Sequence, residues 1–133
     1  MTELDRKREL SEYRISQAYE AISEAQILGD SGHYRGAINR SYYAMFYALQ
    51  VLVIQDNVKV TKHSGAISHF DRWYVKTGKI DREFSRWLHR LFDLRQDADY
   101  GDMYEPSESQ CREAIEKSEK FVERIRSFTN PNG

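Results

Sequence analysis

The chain is 133 residues long and carries 20 Lys and Arg residues against 21 Asp and Glu residues, so its formal net charge is −1. This length predicts a single domain over residues 1–133, and the charge balance counts against binding nucleic acid by bulk electrostatic attraction. The single cysteine, Cys111, excludes an internal disulfide framework and a cysteine-rich zinc site. No stretch has the pattern of a signal peptide or the length of a membrane span, so we expect a cytoplasmic protein with no membrane partner.

Apolar residues recur at three- and four-residue steps through almost the whole chain, which predicts helices. The first helix is expected to bury a stripe that begins at Ile15 and to end at Gly29 and Asp30. Asp30 or Ser31 is then expected to cap a second helix over residues 34–55. Small residues on one stripe of that helix predict close packing, with aromatic rings filling the remaining space.

A third, shorter helix is predicted over residues 64–76, with Gly78 as its stop signal. Asp81 is expected to cap a fourth helix, which ends at Gly101. Residues 55–62 are expected to form a connection. A few of them favour β-structure, but one isolated piece forms no sheet.

The last helix is expected to begin near Pro106, which suits a first helical turn. The pattern from Ser107 to Gln110 also matches a capping box. We expect residues 129–133 to form a flexible tail. Five helices joined by short connections predict an all-α fold, an antiparallel up-and-down bundle of four to five helices.

Arg95 is the most informative single residue, because it continues the apolar face of the fourth helix. Phe84, Leu88, Leu91 and Arg95 are spaced four, three and four residues apart. An arginine on such a face is costly unless it is paired. One interpretation is an ion pair with Asp99 one turn later or with an acidic residue of another helix. The other is an anion site, since a guanidinium group donates two parallel hydrogen bonds to phosphate oxygens.

Three segments of the chain, residues 37–46 (AINRSYYAMF), 62–65 (KHSG) and 95–100 (RQDADY), resemble a known family in their order and spacing. They are similar to a small prokaryotic branch of the HEPN domains (higher eukaryotes and prokaryotes nucleotide-binding), and the resemblance covers residues 15–125. It implies a helical bundle that is commonly a homodimer. In many members it implies an endoribonuclease that needs no metal or cofactor. Stand-alone prokaryotic members often form toxin–antitoxin pairs with a minimal nucleotidyltransferase.

The family signature is an arginine followed, after four to six residues, by a histidine. The arginine maps onto Arg95, with Asp99 as a supporting motif residue, and the histidine position maps onto Tyr100, where this chain departs from the pattern. An imidazole, with an ordinary pKa of about 6.5, can activate a 2′-hydroxyl near neutrality, whereas a phenol, at about 10, is a poor base. The departure therefore weakens the ribonuclease hypothesis more than RNA or nucleotide binding, since Tyr100 can still orient a phosphate or stack on a base. The two side chains are about 140° apart around a helix, so we expect them to converge only if the helix end bends or a dimer partner supplies half of the site.

Three further residues are candidates for the same site. Asn39 and Tyr42 lie three residues apart on one face of the second helix. Asn39 is either a hydrogen-bond partner of Arg95 or of a phosphate, or an ordinary contact between helices. Tyr42 is either a core residue or a ring on which a base stacks. His63 is either a replacement base or phosphate contact, or a structural residue near a helix start. The four histidines form no known ligand motif, so no metal is expected.

The leading hypothesis is therefore a nucleotide- or RNA-related module that forms the toxin half of a pair with a nucleotidyltransferase. In this hypothesis the present chain cleaves RNA without a metal. The alternative is a catalytically inert binding or regulatory module that partners such an enzyme. In one variant of that alternative, Tyr100 or Tyr104 accepts a nucleotidyl group. A helical oligomerisation domain without any ligand is the third interpretation.

Overall fold

A computed structural model describes residues 1–101 and 104–130, and within these ranges all regular structure is helical. The five α-helices are α1 (Glu3–Asp30), α2 (Tyr34–Gln55), α3 (His63–Phe70), α4 (Arg82–Tyr100) and α5 (Glu108–Thr129). The all-α helical bundle predicted from the sequence is confirmed. No helix in the described part of the chain is both long enough and apolar enough to cross a membrane.

Helix α1 begins twelve positions before the predicted stripe, because a capping box closes its N-terminus. The Thr2 hydroxyl accepts a hydrogen bond from the Asp5 amide at 3.1 Å, and the Asp5 carboxylate accepts one from the Thr2 amide at 3.2 Å. The first turns of α1 carry no apolar stripe, and for that reason periodicity alone does not reveal them. The box satisfies two amides that would otherwise lack partners.

The prediction that Asp30 or Ser31 caps α2 is wrong. Asp30 is the last residue of α1, and the Ser31 amide donates to carbonyl groups of that same helix. Gly32 then takes a positive φ of 80°, a conformation that a glycine adopts without strain. The residue before α2 is His33, whose side chain makes no capping hydrogen bond.

Helix α2 is the central element, since it packs against each of the other four helices. Its small residues are fully buried and let the neighbouring backbones approach closely: Ala37, Ser41, Ala44 and Ala48. Tyr42, Met45 and Leu49 fill the space between them and are also buried. This packing turns the adjoining face of α2 toward the start of α3 and the end of α4.

The third predicted helix is divided into α3 and a π-helical turn, Asp71–Val75. Two aromatic side chains of this segment meet the carboxylate that follows α2. The His69 ring nitrogen Nε2 lies 2.7 Å from the Asp56 carboxylate, and the Tyr74 hydroxyl donates to the same oxygen at 2.6 Å. These contacts tie the end of α2 to the segment after α3.

The capping box predicted for α5 is confirmed. Gln110 donates its amide to the Ser107 hydroxyl at 3.1 Å, and the Gln110 side chain accepts from the Ser107 amide at 3.0 Å. Pro106 lies before this cap and not in the first helical turn. Thr129 still belongs to α5, and residues 131–133, on which the prediction of a flexible tail mainly falls, lie outside the described residues.

Candidate functional site

The residues singled out from the sequence come together where the end of α4 meets α2 and the start of α3. All six candidates are linked by direct contacts, either with the Arg95 side chain or with a side chain that contacts Arg95. Together with one further tyrosine of α2 they form what we call the Arg95 cluster: Asn39, Tyr42, Tyr43, His63, Arg95, Asp99 and Tyr100.

Asp99 holds the guanidinium group of Arg95 and joins it to α2. The Asp99 carboxylate accepts a hydrogen bond from Arg95 Nε at 3.1 Å, and the same oxygen accepts one from the Asn39 side-chain amide at 3.1 Å. The Arg95 and Asp99 side chains are only 14% and 22% exposed. The ion pair considered from the sequence is therefore present, and Asn39 is its third member.

The ion pair uses only one edge of the guanidinium group. In the described residues Nη1 has no hydrogen-bond partner, and Nη2 has only the Tyr43 hydroxyl at 3.4 Å. A guanidinium group has five N–H donors in a fixed plane. Most of the N–H donors of Arg95 therefore have no hydrogen-bond partner among the described residues.

Aromatic rings surround the charge of Arg95. Its guanidinium carbon lies 5.5 Å from the centre of the Tyr42 ring, 5.4 Å from that of Tyr43 and 5.9 Å from that of Tyr100. Such distances allow attraction between the cation and the ring faces. Tyr42 is buried, whereas Tyr100 is 70% exposed, so the cluster is open to solvent on the side of Tyr100.

The expectation that Arg95 and Tyr100 need a bent helix or a second copy to converge is wrong. Helix α4 continues through Tyr100 without a break, and both residues belong to one chain. The length of the arginine side chain explains the difference. The angle between the two positions describes where their side chains leave the helix backbone, and the long Arg95 side chain reaches across that angle to the Tyr100 ring.

His63, the first residue of α3, is fixed on three sides. Its Nδ1 atom lies 3.0 Å from the Tyr42 hydroxyl, and its ring stacks on Phe46 with the centroids 3.9 Å apart. The edge contact with Tyr43 has a centroid distance of 5.5 Å. Burial, and next the positive charge of Arg95, lower the pKa of His63 below its usual value. Burial raises the pKa of Tyr42 to about 12, against the opposing effect of Arg95.

The sequence interpretation missed Arg35, which supports the site from the first turn of α2. Arg35 Nη1 donates to the Ala98 carbonyl at 2.6 Å, and Nη2 donates to the Tyr104 carbonyl. It thereby fixes the backbone on both sides of Tyr100. A signal was present, because Arg35, Asn39, Tyr42 and Phe46 follow one another at steps of four, three and four, which places them on one helix face.

A second polar cluster in the described part of the chain, around Asp71, lacks the arrangement of a Ser–His catalytic centre. Ser85 donates to the Asp71 carboxylate at 2.6 Å, and His89 contacts the other oxygen of Asp71 at 2.6 Å, so the histidine does not activate the serine. Among the residues that the structure describes, no group of three or more His, Cys, Asp or Glu side chains is placed to hold a metal ion.

These features define a class of protein: a small bundle of helices that carries one arginine-centred polar site at the end of a helix. Comparison with protein families makes the assignment specific. The model of the HEPN domain matches residues 11–128, and the chain belongs to the HEPN family. The resemblance found in the three short segments is thereby confirmed over nearly the whole chain.

Relatives with high coverage come from bacteria and archaea. The chain is 34% identical over 122 residues to a "UPF0332 protein" of Thermotoga maritima, and the match covers 92% of each chain. It is 35% identical over 112 residues to "Putative toxin MJ0605" of Methanocaldococcus jannaschii, with 84% of this chain and 83% of the relative covered. A second protein of that archaeon, "Putative toxin MJ0142", is 29% identical over 126 residues, with 95% and 85% covered.

Proposed function

We propose that this HEPN protein is the toxin of a toxin–antitoxin pair and that it acts on RNA through the Arg95 cluster. The observation that carries the proposal is the free edge of the Arg95 guanidinium group, because Asp99 engages Nε and leaves both Nη nitrogens without a carboxylate in the described residues. That edge has the fork geometry that binds two phosphate oxygens. The toxin names of the two M. jannaschii relatives support the biological role.

A site of this kind is compatible with a net charge of −1. One arginine held among aromatic rings binds a phosphate locally and needs no basic excess, while the exposed ring of Tyr100 offers a surface for a base. We expect the logarithm of the binding constant for single-stranded RNA to fall with the logarithm of the salt concentration with a slope of only about −0.7 to −1.4, equivalent to one or two phosphate contacts.

Binding of a fluorescent single-stranded RNA in EDTA, followed by anisotropy, tests the proposal. Arg95→Ala is expected to weaken binding about tenfold to a hundredfold, the effect of losing hydrogen bonds to a charged group. The matched control is Arg86→Ala, which removes an exposed arginine from the same helix. Equal binding by the wild-type protein and Arg95→Ala would overturn the proposal.

The ribonuclease form of the proposal adds a defined reaction. The RNA 2′-oxygen attacks the adjacent phosphorus while its proton passes to a base. The bond from phosphorus to O5′ breaks, and O5′ takes up a proton, which leaves a 2′,3′-cyclic phosphate and a 5′-hydroxyl end. Gel analysis in EDTA supports this form if such ends appear with the wild-type protein and are lost in Arg95→Ala.

The second candidate is a non-cleaving module that partners a nucleotidyltransferase, and the phenol at position 100 favours it, since phenols are poor bases at neutrality. RNA binding without cleavage, together with co-purification of the two proteins, would support it. Mass spectrometry after incubation with the partner and ATP would reveal a modified tyrosine. Tyr100 is the more accessible acceptor, because its ring is 70% exposed, whereas the Tyr104 hydroxyl donates to Gln110 at 3.0 Å.

A homodimer and a cytoplasmic location complete the proposal. Helix α2 carries a stripe of half-buried side chains at alternating steps of three and four residues: Arg40, Tyr43, Tyr47, Gln50 and Ile54. Such spacing gives a helix a continuous seam for a second helix. The seam includes Tyr43 and therefore adjoins the Arg95 cluster.

A further inference from the structure

The orientation of the His63 ring is set by its neighbours. Phe46 stacks on one face at 3.9 Å with an interplanar angle of 25°, while Tyr43 meets the ring edge-on at 83°. The contact from Nδ1 to the Tyr42 hydroxyl then fixes the rotation of the ring in its plane. His63 therefore presents Nε2 in one defined direction.

The hydrogen bond with Tyr42 also determines which ring nitrogen carries the proton. Tyr42 is fully buried, and among the described residues its hydroxyl has no hydrogen-bond partner other than His63. A buried hydroxyl that does not donate its proton loses a hydrogen bond. Tyr42 therefore donates to Nδ1, and the proton of the neutral imidazole is on Nε2.

The Nε2–H group has no acceptor in the described part of the chain and lies in the field of a cation. His63 and Arg95 share Tyr42 and Tyr43 as neighbours, with ring or guanidinium distances of 5.4 to 5.7 Å. Among the described residues, the side chains that contact the His63 ring are two phenols and the Phe46 ring, and the positive charge of Arg95 acts on it from beyond them. An unpaired donor beside an arginine favours a negatively charged ligand.

We propose that His63 Nε2–H is a second hydrogen-bond donor to the phosphate group that Arg95 binds, and that Tyr42 is the positioning residue that holds His63 in the Nε2–H tautomer. This inference rests on the function proposed above and names the second ligand-binding residue of the same site. His63 accordingly binds the phosphate and does not replace the base of the HEPN signature.

The two roles of His63 make opposite demands on Tyr42. A base needs an unprotonated Nε2, and the Tyr42 hydroxyl would then have to accept from Nδ1–H and leave its own proton buried without a partner. A phosphate donor needs the proton on Nε2, which the donating hydroxyl already ensures. The lowered pKa of His63 keeps the ring in its neutral form near pH 7, so the tautomer set by Tyr42 is the relevant species.

Nuclear magnetic resonance tests the tautomer without any assay of activity. Long-range proton–nitrogen correlation spectra of ¹⁵N-labelled wild-type protein at pH 7.5 are expected to show His63 protonated at Nε2. Inorganic phosphate is expected to shift the His63 nitrogen signals more than those of His89, an exposed histidine bound to Asp71. Tyr42→Phe keeps the buried ring but is expected to populate both tautomers. An Nδ1–H tautomer in the wild-type protein would overturn the inference.

Two substitutions at position 63 separate a donor from a base. His63→Leu is expected to weaken binding of a short 5′-phosphorylated RNA about tenfold, whereas His63→Gln, which keeps an N–H donor, retains more affinity than His63→Leu. His89→Gln is the matched control, and thermal unfolding verifies that each variant is folded. If His63→Leu binds RNA and inorganic phosphate as well as the wild type does, the inference is wrong.

The failure of this inference differs from the failure of the proposed function. If Arg95→Ala loses RNA binding while both His63 variants keep it, His63 is no ligand and the proposed function stands. If RNA binding does not depend on Arg95, the proposed function fails, and the response of His63 to inorganic phosphate still decides whether His63 is an anion donor.

Discussion

Tyr100, which the resemblance places at the histidine position of the HEPN signature, is the last residue of α4, and its ring centre lies 5.9 Å from the Arg95 guanidinium carbon. Its side chain is 70% exposed, so the position has room for a different ring. The phenol can contact a base or a phosphate, but at neutral pH it removes a proton poorly. The chemistry of the cluster therefore depends on which ring occupies this position.

Tyr100→His is expected to raise metal-independent RNA cleavage by about 10²- to 10⁴-fold, the usual contribution of a well-placed general base. The rate, measured in EDTA, should depend on a group that titrates near pH 6.5. The double variant Tyr100→His with Arg95→Ala is the control and should cleave no faster than the wild type. Equal rates for Tyr100→His and the wild type would contradict this prediction.

His63 makes the stability of the folded chain depend on pH. Its pKa is lowered in the folded state by burial and by Arg95, so below about pH 6.5 the unfolded chain binds a proton that the folded chain does not. The contribution of His63 is therefore complete above pH 6.5 and decreases as the pH falls toward the folded-state pKa. The other groups that face the ring are the phenols of Tyr42 and Tyr43 and, beyond them, the guanidinium group of Arg95.

Between pH 7.5 and pH 5 the wild-type protein is thus expected to lose more free energy of unfolding than His63→Gln does. Urea unfolding at a series of pH values measures both. His89→Gln, which alters an exposed histidine, should retain the slope that His63 causes. Parallel pH profiles for the wild type and His63→Gln would show that the folded structure does not depress the protonation of His63.

At the scale of the element, the sequence predicted best those helices whose ends carry local stop or start signals. The capping box of α5 agrees with the prediction because its side chains are local to the helix start, and α2 begins shortly after Gly32, although no side chain caps it. Helix α1 was predicted too short, since its first turns are solvent-exposed and show no apolar period. The π-helical turn after α3 was not predicted. Its Tyr74 and the preceding His69 contact Asp56, which lies before α3 in the chain and outside the three- and four-residue spacing that a helical pattern reveals.

The two capping boxes give a comparison within one protein. Ser107→Ala removes the acceptor of the Gln110 amide and is expected to cost about 1 kcal/mol, which corresponds to a decrease in Tm of about 3–5 °C for a chain of this size. Thr2→Ala removes the same bond from the exposed first turn of α1 and should cost less, because that turn frays more readily. Differential scanning calorimetry measures both, and equal decreases in Tm would contradict the ranking.

At the scale of the whole molecule, the sequence predicted six of the seven members of the Arg95 cluster, all but Tyr43, but not their geometry. Asn39, His63 and Arg95 were selected by residue type and by resemblance, and the fold brings them together. The angle between positions 95 and 100 around the helix predicts separated side chains, because it describes the backbone and not the reach of a long side chain such as that of Arg95. Arg35 went unrecognised since its partners, Ala98 and Tyr104, are backbone carbonyls 63 and 69 residues away, and carbonyl acceptors have no sequence signature.

The seam of α2 leads to a prediction about assembly. Its members Tyr43, Tyr47 and Ile54 are only half buried in the single chain, and a second copy related by a two-fold axis would place the same residues against one another. Light scattering coupled to size exclusion is therefore expected to give twice the 15.7 kDa of one chain.

Tyr47→Glu should shift this mass to that of the monomer, because the exchange places a charge on each side of a two-fold apolar contact. The matched control, Ile27→Glu, adds the same charge at a residue of α1 that is 64% exposed, and it should remain dimeric. A wild-type protein that is monomeric at 50 μM or more, or a dimer unaffected by Tyr47→Glu, would remove the seam from the proposal. Since Tyr43 belongs to both the seam and the Arg95 cluster, a dimer through α2 would bring two Arg95 clusters close together. RNA-binding measurements on the monomeric variant would then show whether the proposed binding of RNA needs both.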